Sequence, residues 1–298
     1  MVVGRDTSVN FEIRETIYND IFETSLKFFG SQRCGATNSW FHKDCHTKDG
    51  SALGVEGGLH GGWHDCGDHG KYGETVGYAA LMLALGYVAM PEKAEDRYGA
   101  SYNDTLPFGN DGIPDLLWEA KIGADYIYRL YELSKAKGLI AKGDMYHSVG
   151  MGPGMDHLFW DRPEFQDAQA QNKGGPDRPA TAGIGSNVAG MFAASLAFVG
   201  RAWEPFDPVY AKQLVDAAVD IYDNVIVAKR YYATTSNPCC YTGIGQLQDD
   251  PAMAAVALWY ATGQSRFGYD LYQNKAIGTN MHALYTSGSF AAGLLSMD

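Results

Sequence analysis

The sequence has no apolar run long enough to cross a membrane. Runs such as residues 79–85 fall well short of the roughly 20 residues that a helical span needs. It also lacks a Pro/Ser-rich tract, a long block of one charge and any low-complexity stretch, so no linker divides it. A chain of 298 residues, 46% hydrophobic, is ample for a packed core. No secretory leader stands at the start, because Met1-Val2-Val3-Gly4-Arg5 is short and polar. On that ground alone the protein is either cytoplasmic or has had its leader removed. Cysteine is scarce: Cys34, Cys45, Cys66, Cys239 and Cys240 are an odd set of five, which argues against a full disulfide framework. Positive charge is in deficit, with 23 Lys and Arg against 35 Asp and Glu and a formal charge of −12. An acidic surface repels phosphate, so neither nucleic acid nor membrane is an expected partner and a neutral substrate fits better.

What the sequence does have is aromatic side chains, 13% of the total with 19 Tyr and 6 Trp. They suit a core, and equally a cleft in which sugar C–H faces pack on rings. Helical periodicity dominates. From Phe11 to Phe29 an apolar stripe runs through Ile13, Ile17, Ile21, Phe22, Phe28 and Phe29. A helix is expected over about 72–88. Another opens at Ile113-Pro114-Asp115, with a stripe through Leu117, Ala120, Ala124, Ile127 and Tyr131. A further one starts at Ser186 or Asn187, either of which can cap it. Two more cover about 208–227 and 249–262, the last stopped by Gly263. No alternating strand pattern competes. Residues 50–70 and 143–185 are long irregular connections, which in a compact domain are usually functional. The fold class read from this is all-α, with rich loops at one end of a helical scaffold.

Asp65 and Asp68 lie three residues apart among glycines, which let backbone approach a ligand closely. Two such carboxylates can converge on one water, one taking its proton and the other orienting it. That is the task of the base in an inverting glycosidase. By spacing alone a pair of turn or capping aspartates is the better reading. The whole string alters that balance. Gly61-Gly62-Trp63-His64-Asp65-Cys66-Gly67-Asp68-His69-Gly70-Lys71-Tyr72 resembles the Gly-Gly-Trp-Tyr/His-Asp-Ala-Gly-Asp-x-x-Lys-Tyr/Phe signature of glycoside hydrolase family 9. Gly112 to Ala120 resembles that family's Ile-Pro-Asp-Leu-Leu-Asp-Glu helix. Asp156 to Glu164 resembles its Asp-His-x-x-Trp-x-x-Pro-Glu loop, and Ala261-Thr262-Gly263 its Ala-Thr-Gly helix end.

The resemblance implies an (α/α)6 barrel with a cleft across its loop end, and hydrolysis of β-1,4-glucosidic bonds in cellulose, cellodextrins or mixed-linkage β-glucan. It implies Asp68 as base, Asp65 as its partner on the water, and His157 and Trp160 as contacts to glucose units. The residues alone leave Trp160 as suited to the core as to a cleft. The resemblance also makes the protein one of a secreted class.

Inversion further needs a general acid about 6.5–9.5 Å across the cleft. In the family this is a Glu near the end of the catalytic domain, and here Glu204 is the last glutamate. Glu74 and Glu119 are weak substitutes. Some six or seven of twelve helices are countable, with another start at 290–295. Residues 1–298 are therefore expected to be the N-terminal portion of a longer catalytic domain. Either a second polypeptide completes the barrel, or the chain is inactive or a non-catalytic glucan-binding protein. A sugar epimerase would need an acid–base histidine pair, which is not apparent. Other departures are Cys66 for Ala, Asn187 and Met191 in a segment that usually carries Asp and Glu, and Asp249-Asp250-Pro251 for Asp-Glu-Leu.

Cys34, Cys45, His46 and His64 have the residue types of a closed zinc site, but their spacing is no zinc-finger motif and by itself favours scattered thiols and surface histidines. One subgroup of family 9 carries Arg-Cys-Gly after the first helix, then Cys-His, then His before the first aspartate. Arg33-Cys34-Gly35, Cys45-His46 and His64 match it, and the resemblance implies a structural zinc. His42 is a substitute ligand and Cys66 a less suitable one. Calcium also occurs in the family, without residues to assign here. Cys239-Cys240 reads as two unlinked thiols.

Overall fold

The computed structural model describes residues 2–3, 6–7, 13–37, 39–55, 58–98, 111–150, 155–228, 234, 247 and 249–274. Cys239, Cys240 and the helix start expected at 290–295 lie outside these. The described part is mostly helical. Its long helices are α1 (Ile17–Gln32), α2 (Gly73–Ala89), α3 (Asp115–Ala136), α5 (Ser186–Trp203), α6 (Pro208–Ile221), α7 (Asp249–Thr262) and α8 (Ser265–Asn274), with a single turn α4 (Pro163–Gln166). Seven long helices among the described residues agree with the count read from the sequence. Two small antiparallel pairs add to the all-α expectation: β1 (Val2–Val3) with β2 (Asp6–Thr7), and β3 (Tyr146–Val149) with β4 (Ala180–Ala182). The second pair structures part of the connection read as irregular.

The helix ends follow local chemistry. Pro114 leads into α3, and Asp115 in its first turn accepts from the N–H groups of Arg97 and Tyr98. Asp207 caps α6, accepting from the N–H groups of Val209 at 3.1 Å and Tyr210 at 3.0 Å, with Pro208 at the first helical position. Ser186 and Asn187 do not cap α5. Gly185 holds that position, and Asn187 Oδ1 instead accepts from the N–H of Thr234 at 2.9 Å.

Helix α5 is the centre of the scaffold, buried without a break from Ser186 to Gly200 and packed by α2, α3, α6 and α7. At Gly190 an added Cβ would lie 2.4 Å from a backbone carbon of Asp250, so only glycine lets α7 come this close. Leu117, Ala120, Ala124, Ile127 and Tyr131 of α3 are all buried, as their spacing predicts.

Helix α1 corrects the sequence reading. Ile13 precedes the helix and is 91% exposed, while Ile21, Phe22 and Phe28 are exposed too. The residues α1 buries are Glu23, Leu26 and Gly30. Periodicity identified side chains that share a face, but not which face the other described elements cover.

Candidate functional site

The segment from Gly61 to Tyr72 is held at both ends. Its start pairs with the end of α1: Cys34 N–H donates to Gly62 O at 3.1 Å, Gly61 N–H to Cys34 O at 3.0 Å and His64 N–H to Gln32 O at 2.8 Å. Its finish pairs with β3, where Lys71 and Val149 exchange two backbone hydrogen bonds of 2.9 Å. Between them Asp65 N–H donates to Gly70 O at 3.0 Å and closes a tight turn. The Lys71 ammonium, fully buried, donates to Leu59 O at 2.6 Å and Gly61 O at 3.3 Å, and lies 4.4 Å from the Tyr126 ring centre. A buried charge so partnered fixes the loop from beneath.

On this turn the two aspartates differ. Asp68 is buried and its Oδ1 accepts from Gly70 N–H at 2.9 Å and the Tyr72 hydroxyl at 3.3 Å. Burial, and then the charge of Asp68, push the Tyr72 phenol well above its ordinary range, so it stays a proton donor. Asp68 Oδ2 faces His157 Nε2 at 3.1 Å and Cys66 Sγ at 3.3 Å. Asp65 is half-buried, and the ligand atoms of Asp65, Cys66 and Asp68 lie within 4.8 Å of one another.

Trp160 is 61% exposed, which removes it from the core. Its indole N–H donates to His157 O at 2.7 Å, and the two rings are 5.7 Å apart. Its six-membered ring leans on Gly67, where an added Cβ would stand 2.8 Å away. Asp65, Asp68, His157 and Trp160 are thus brought together around one turn. Beside it, Phe41, His42, Cys66, Gly67, Asp161 and Arg162 help line a depression of about 350 Å³.

The four residues Cys34, Cys45, His46 and His64 also converge. All are buried, and their ligand atoms lie within 4.8 Å of one another. Cys34 Sγ is 3.6 Å from His46 Nδ1, and Cys45 Sγ is 3.6 Å from His64 Nε2. This cluster is able to hold a metal ion. Burial lowers His64 to about 4 and so keeps the imidazole neutral, the form that ligates. Burial opposes a charged Cys34, but the hydrogen bond from Cys45 and the charges of Lys71 and the histidines outweigh it and favour the thiolate. The same hydrogen bond, and then burial, raise Cys45. His42 stands outside the convergent set, its ring 5.5 Å from that of His64. Among the described residues the two groups above are the convergent sets of three or more His, Cys, Asp or Glu. Neither is the all-oxygen set that calcium prefers.

Sequence reasoning missed the supports. Gln166 Oε1 accepts from His46 Nε2 at 2.8 Å and His69 Nδ1 at 2.6 Å, which joins the Cys/His cluster to the turn that carries Asp65 and Asp68. That pairing leaves His46 Nδ1 as a lone pair toward Cys34. Arg178, fully buried, pairs with Asp49 at 2.7 Å and Asp156 at 3.1 Å and reaches Cys34 Sγ at 3.6 Å. Both lie in the 143–185 connection, whose length was the available signal. Glu119 is engaged elsewhere: it is buried, paired with Arg33 at 2.5 Å and accepting from Trp63 Nε1 at 2.7 Å. Glu74 is buried in the first turn of α2.

The family model described as Glycosyl hydrolase family 9 matches residues 18–293. Endoglucanase 1 of Arabidopsis thaliana is 27% identical over 84% of this chain and 45% of its own length. Endoglucanase D of Acetivibrio thermocellus is 26% identical over 92% of this chain and 42% of its own. Endoglucanase A of Fibrobacter succinogenes is 27% identical over 88% and 59%. The chain thus spans about half the length of the curated relatives it matches. Among solved structures, a cellulase of C. cellulolyticum in complex with cellobiose superposes with a TM-score of 0.72 at 26% identity, over 94% of this chain and 61% of that one. The endoglucanase of the termite Nasutitermes takasagoensis shares the fold, with a TM-score of 0.68 at 22% identity over 95% and 61%. These neighbours are (α/α)6 barrels, and the chain corresponds to part of one.

Proposed function

Because this chain belongs to glycosyl hydrolase family 9, we propose that it is the water-activating portion of an endo-acting β-1,4-glucanase that cleaves with inversion. The convergence of Asp65 and Asp68 beside the exposed Trp160 indole carries this reading. Asp68 is the general base. Its Oδ1 is held by Gly70 N–H and the buried Tyr72, whereas Oδ2 faces the exposed Cys66 and half-buried His157, so Oδ2 is the oxygen on the open side that takes the proton. Asp65 orients the water. Trp160 stacks on a glucose unit and His157 hydrogen-bonds a hydroxyl next to the scissile bond. The substrate is cellulose, a cellodextrin or mixed-linkage β-glucan, in keeping with the relative solved with cellobiose. Cellulose and mixed-linkage β-glucan are polymers too large to enter cells, so a protein that acts on them is a secreted one. No helix among the described residues is long and apolar enough to cross a membrane.

The protonating Glu is supplied from residues beyond this sequence, by a second polypeptide that completes the barrel or by a longer form of the chain. The metal of the Cys34–Cys45–His46–His64 cluster is zinc. Bonds of about 2.3 Å to sulfur and 2.0–2.1 Å to nitrogen at tetrahedral angles put S and N about 3.6 Å apart. The two S···N contacts here are 3.6 Å. Four protein donors leave no open position for water, so this zinc pins the loop and takes no part in hydrolysis.

The alternative reading is a glucan-binding protein without turnover. Carboxymethylcellulose hydrolysis, calorimetry on cellotetraose and the anomeric configuration of the first product separate the two. Turnover with an α-configured new end supports the hydrolase. Binding without turnover, in an assembly that includes the missing barrel helices, sinks it.

A further inference from the structure

Beside the turn that carries Asp65 and Asp68, an exposed ring and an open depression take no part in water activation. Phe41 is 73% exposed and lines the depression of about 350 Å³, a volume in the range of small-ligand pockets. The depression begins where the turn ends. Gly67, on which the Trp160 indole leans, lines it, and so does Cys66, whose Sγ lies 3.3 Å from Asp68 Oδ2. The rest of its lining includes polar side chains of both signs. Arg162 is exposed, paired with Glu164 and set with its guanidinium carbon 5.2 Å from the Phe165 ring centre. Asp161 Oδ1 accepts from the Arg162 N–H at 2.8 Å. His42 Nδ1–H donates to Lys43 O at 2.7 Å, and its Nε2 is buried with no hydrogen-bond partner among the described residues. Such an atom is uncommon in a folded protein and points to a partner that arrives from outside.

We propose that this depression is a subsite for a further glucose unit of the glucan chain, with Phe41 as its stacking face. It rests on the glucan reading of the cleft given above. A pyranose is neutral, with an apolar C–H face and a rim of hydroxyls. The face packs on an exposed aromatic ring. The hydroxyls donate and accept, so they match a guanidinium, a carboxylate and an imidazole nitrogen at once. A ligand of one charge would meet Arg162 and Asp161 together, and one of the two opposes it. A chain with one unit stacked on Trp160 carries its next units past Gly67 into the depression. Phe41 thus adds its contact to chains long enough to reach it, and acts on specificity rather than on the proton transfer.

The test is calorimetry of cellotetraose with the full chain as wild type, Phe41→Tyr and Phe41→Leu. Phe41 is exposed, so both variants keep the wild-type Tm, which is measured alongside. Phe41→Tyr retains the ring and binds as wild type does. Phe41→Leu retains an apolar side chain without a ring and binds about fivefold weaker, the scale of one ring contact. Joined to Trp160→Ala, the Phe41→Leu loss adds in full, because the two rings hold different glucose units. Phe41→Leu binding as tightly as wild type overturns the subsite, and so does a double variant no weaker than Trp160→Ala. Should the glucan reading fail instead, wild type itself gives no heat with cellotetraose, an outcome distinct from wild-type binding that Phe41→Leu leaves unchanged.

Discussion

His64 and Asp65 are consecutive residues that point into two different clusters. His64 Nε2 lies 3.6 Å from Cys45 Sγ in the sealed Cys/His group, while the Asp65 carboxylate lies within 4.8 Å of the ligand atoms of Cys66 and Asp68. On extended backbone, neighbouring side chains project to opposite sides. A single peptide bond thus ties the position of a cleft carboxylate to the proposed zinc.

The first prediction concerns that zinc. Metal analysis of the wild-type chain gives one zinc, and Cys34→Ser gives none. A ligand held about a thousandfold above its dissociation constant stabilises by about 4 kcal/mol, which for a domain of this size is roughly 10 °C in Tm. Chelation therefore lowers Tm by about that amount in wild type and leaves Cys34→Ser unmoved. Equal Tm values with and without chelator in wild type would exclude a structural metal.

Gln166 is predicted to set metal affinity without touching the metal. Its Oε1 accepts from both His46 and His69. Gln166→Leu keeps similar volume but frees the His46 tautomer, and zinc affinity measured by chelator competition falls about 10–100-fold. Unchanged affinity would show that the hydrogen bond does not orient the ligand.

The third prediction concerns Gly67 and Trp160. A Cβ at Gly67 would meet the indole at 2.8 Å, so Gly67→Ala displaces it. Cellotetraose affinity drops by about 1 kcal/mol in Gly67→Ala and in Trp160→Ala. The double variant is no worse than Trp160→Ala, since both act through one ring. Additive losses in calorimetry would mean that Gly67 acts on sugar binding by another route.

These supports mark how far the sequence could be read. The string 61–72 carried the aspartates and His64, because a local motif fixes its own turn. The α3 stripe was legible because Pro114 and Asp115 mark the start of that helix and its apolar face is buried. Gln166 and Arg178 were not legible. They reach His46 and Asp49 across 120 and 129 residues, and nothing local records such a meeting. The α1 stripe failed for the same reason: its apolar face is real, but what covers it is set by distant chain.

A pH prediction comes from the other side of α1. Asp115 is buried and accepts from the N–H groups of Arg97 and Tyr98 at 2.9 Å. Burial, and then the neighbouring Glu23, raise its pKa to about 8, against about 3.9 in an unfolded chain. Between those values the folded protein holds a proton that the unfolded chain has released. Stability is then lost as pH rises from about 4 to 8, by up to roughly 1 kcal/mol per pH unit. Asp115→Asn, though less stable at pH 5, shows a flatter Tm profile from pH 5 to 8. Parallel profiles would contradict a proton on Asp115.

The most direct measurement of the central claim is hydrolysis by Asp68→Asn in a complete catalytic assembly, with cellotetraose binding followed by calorimetry. With Asp68 as the base, the amide cannot accept the proton of water, so turnover falls by about 10²–10⁴ while cellotetraose still binds with near wild-type affinity. Wild-type turnover in that variant would contradict the account.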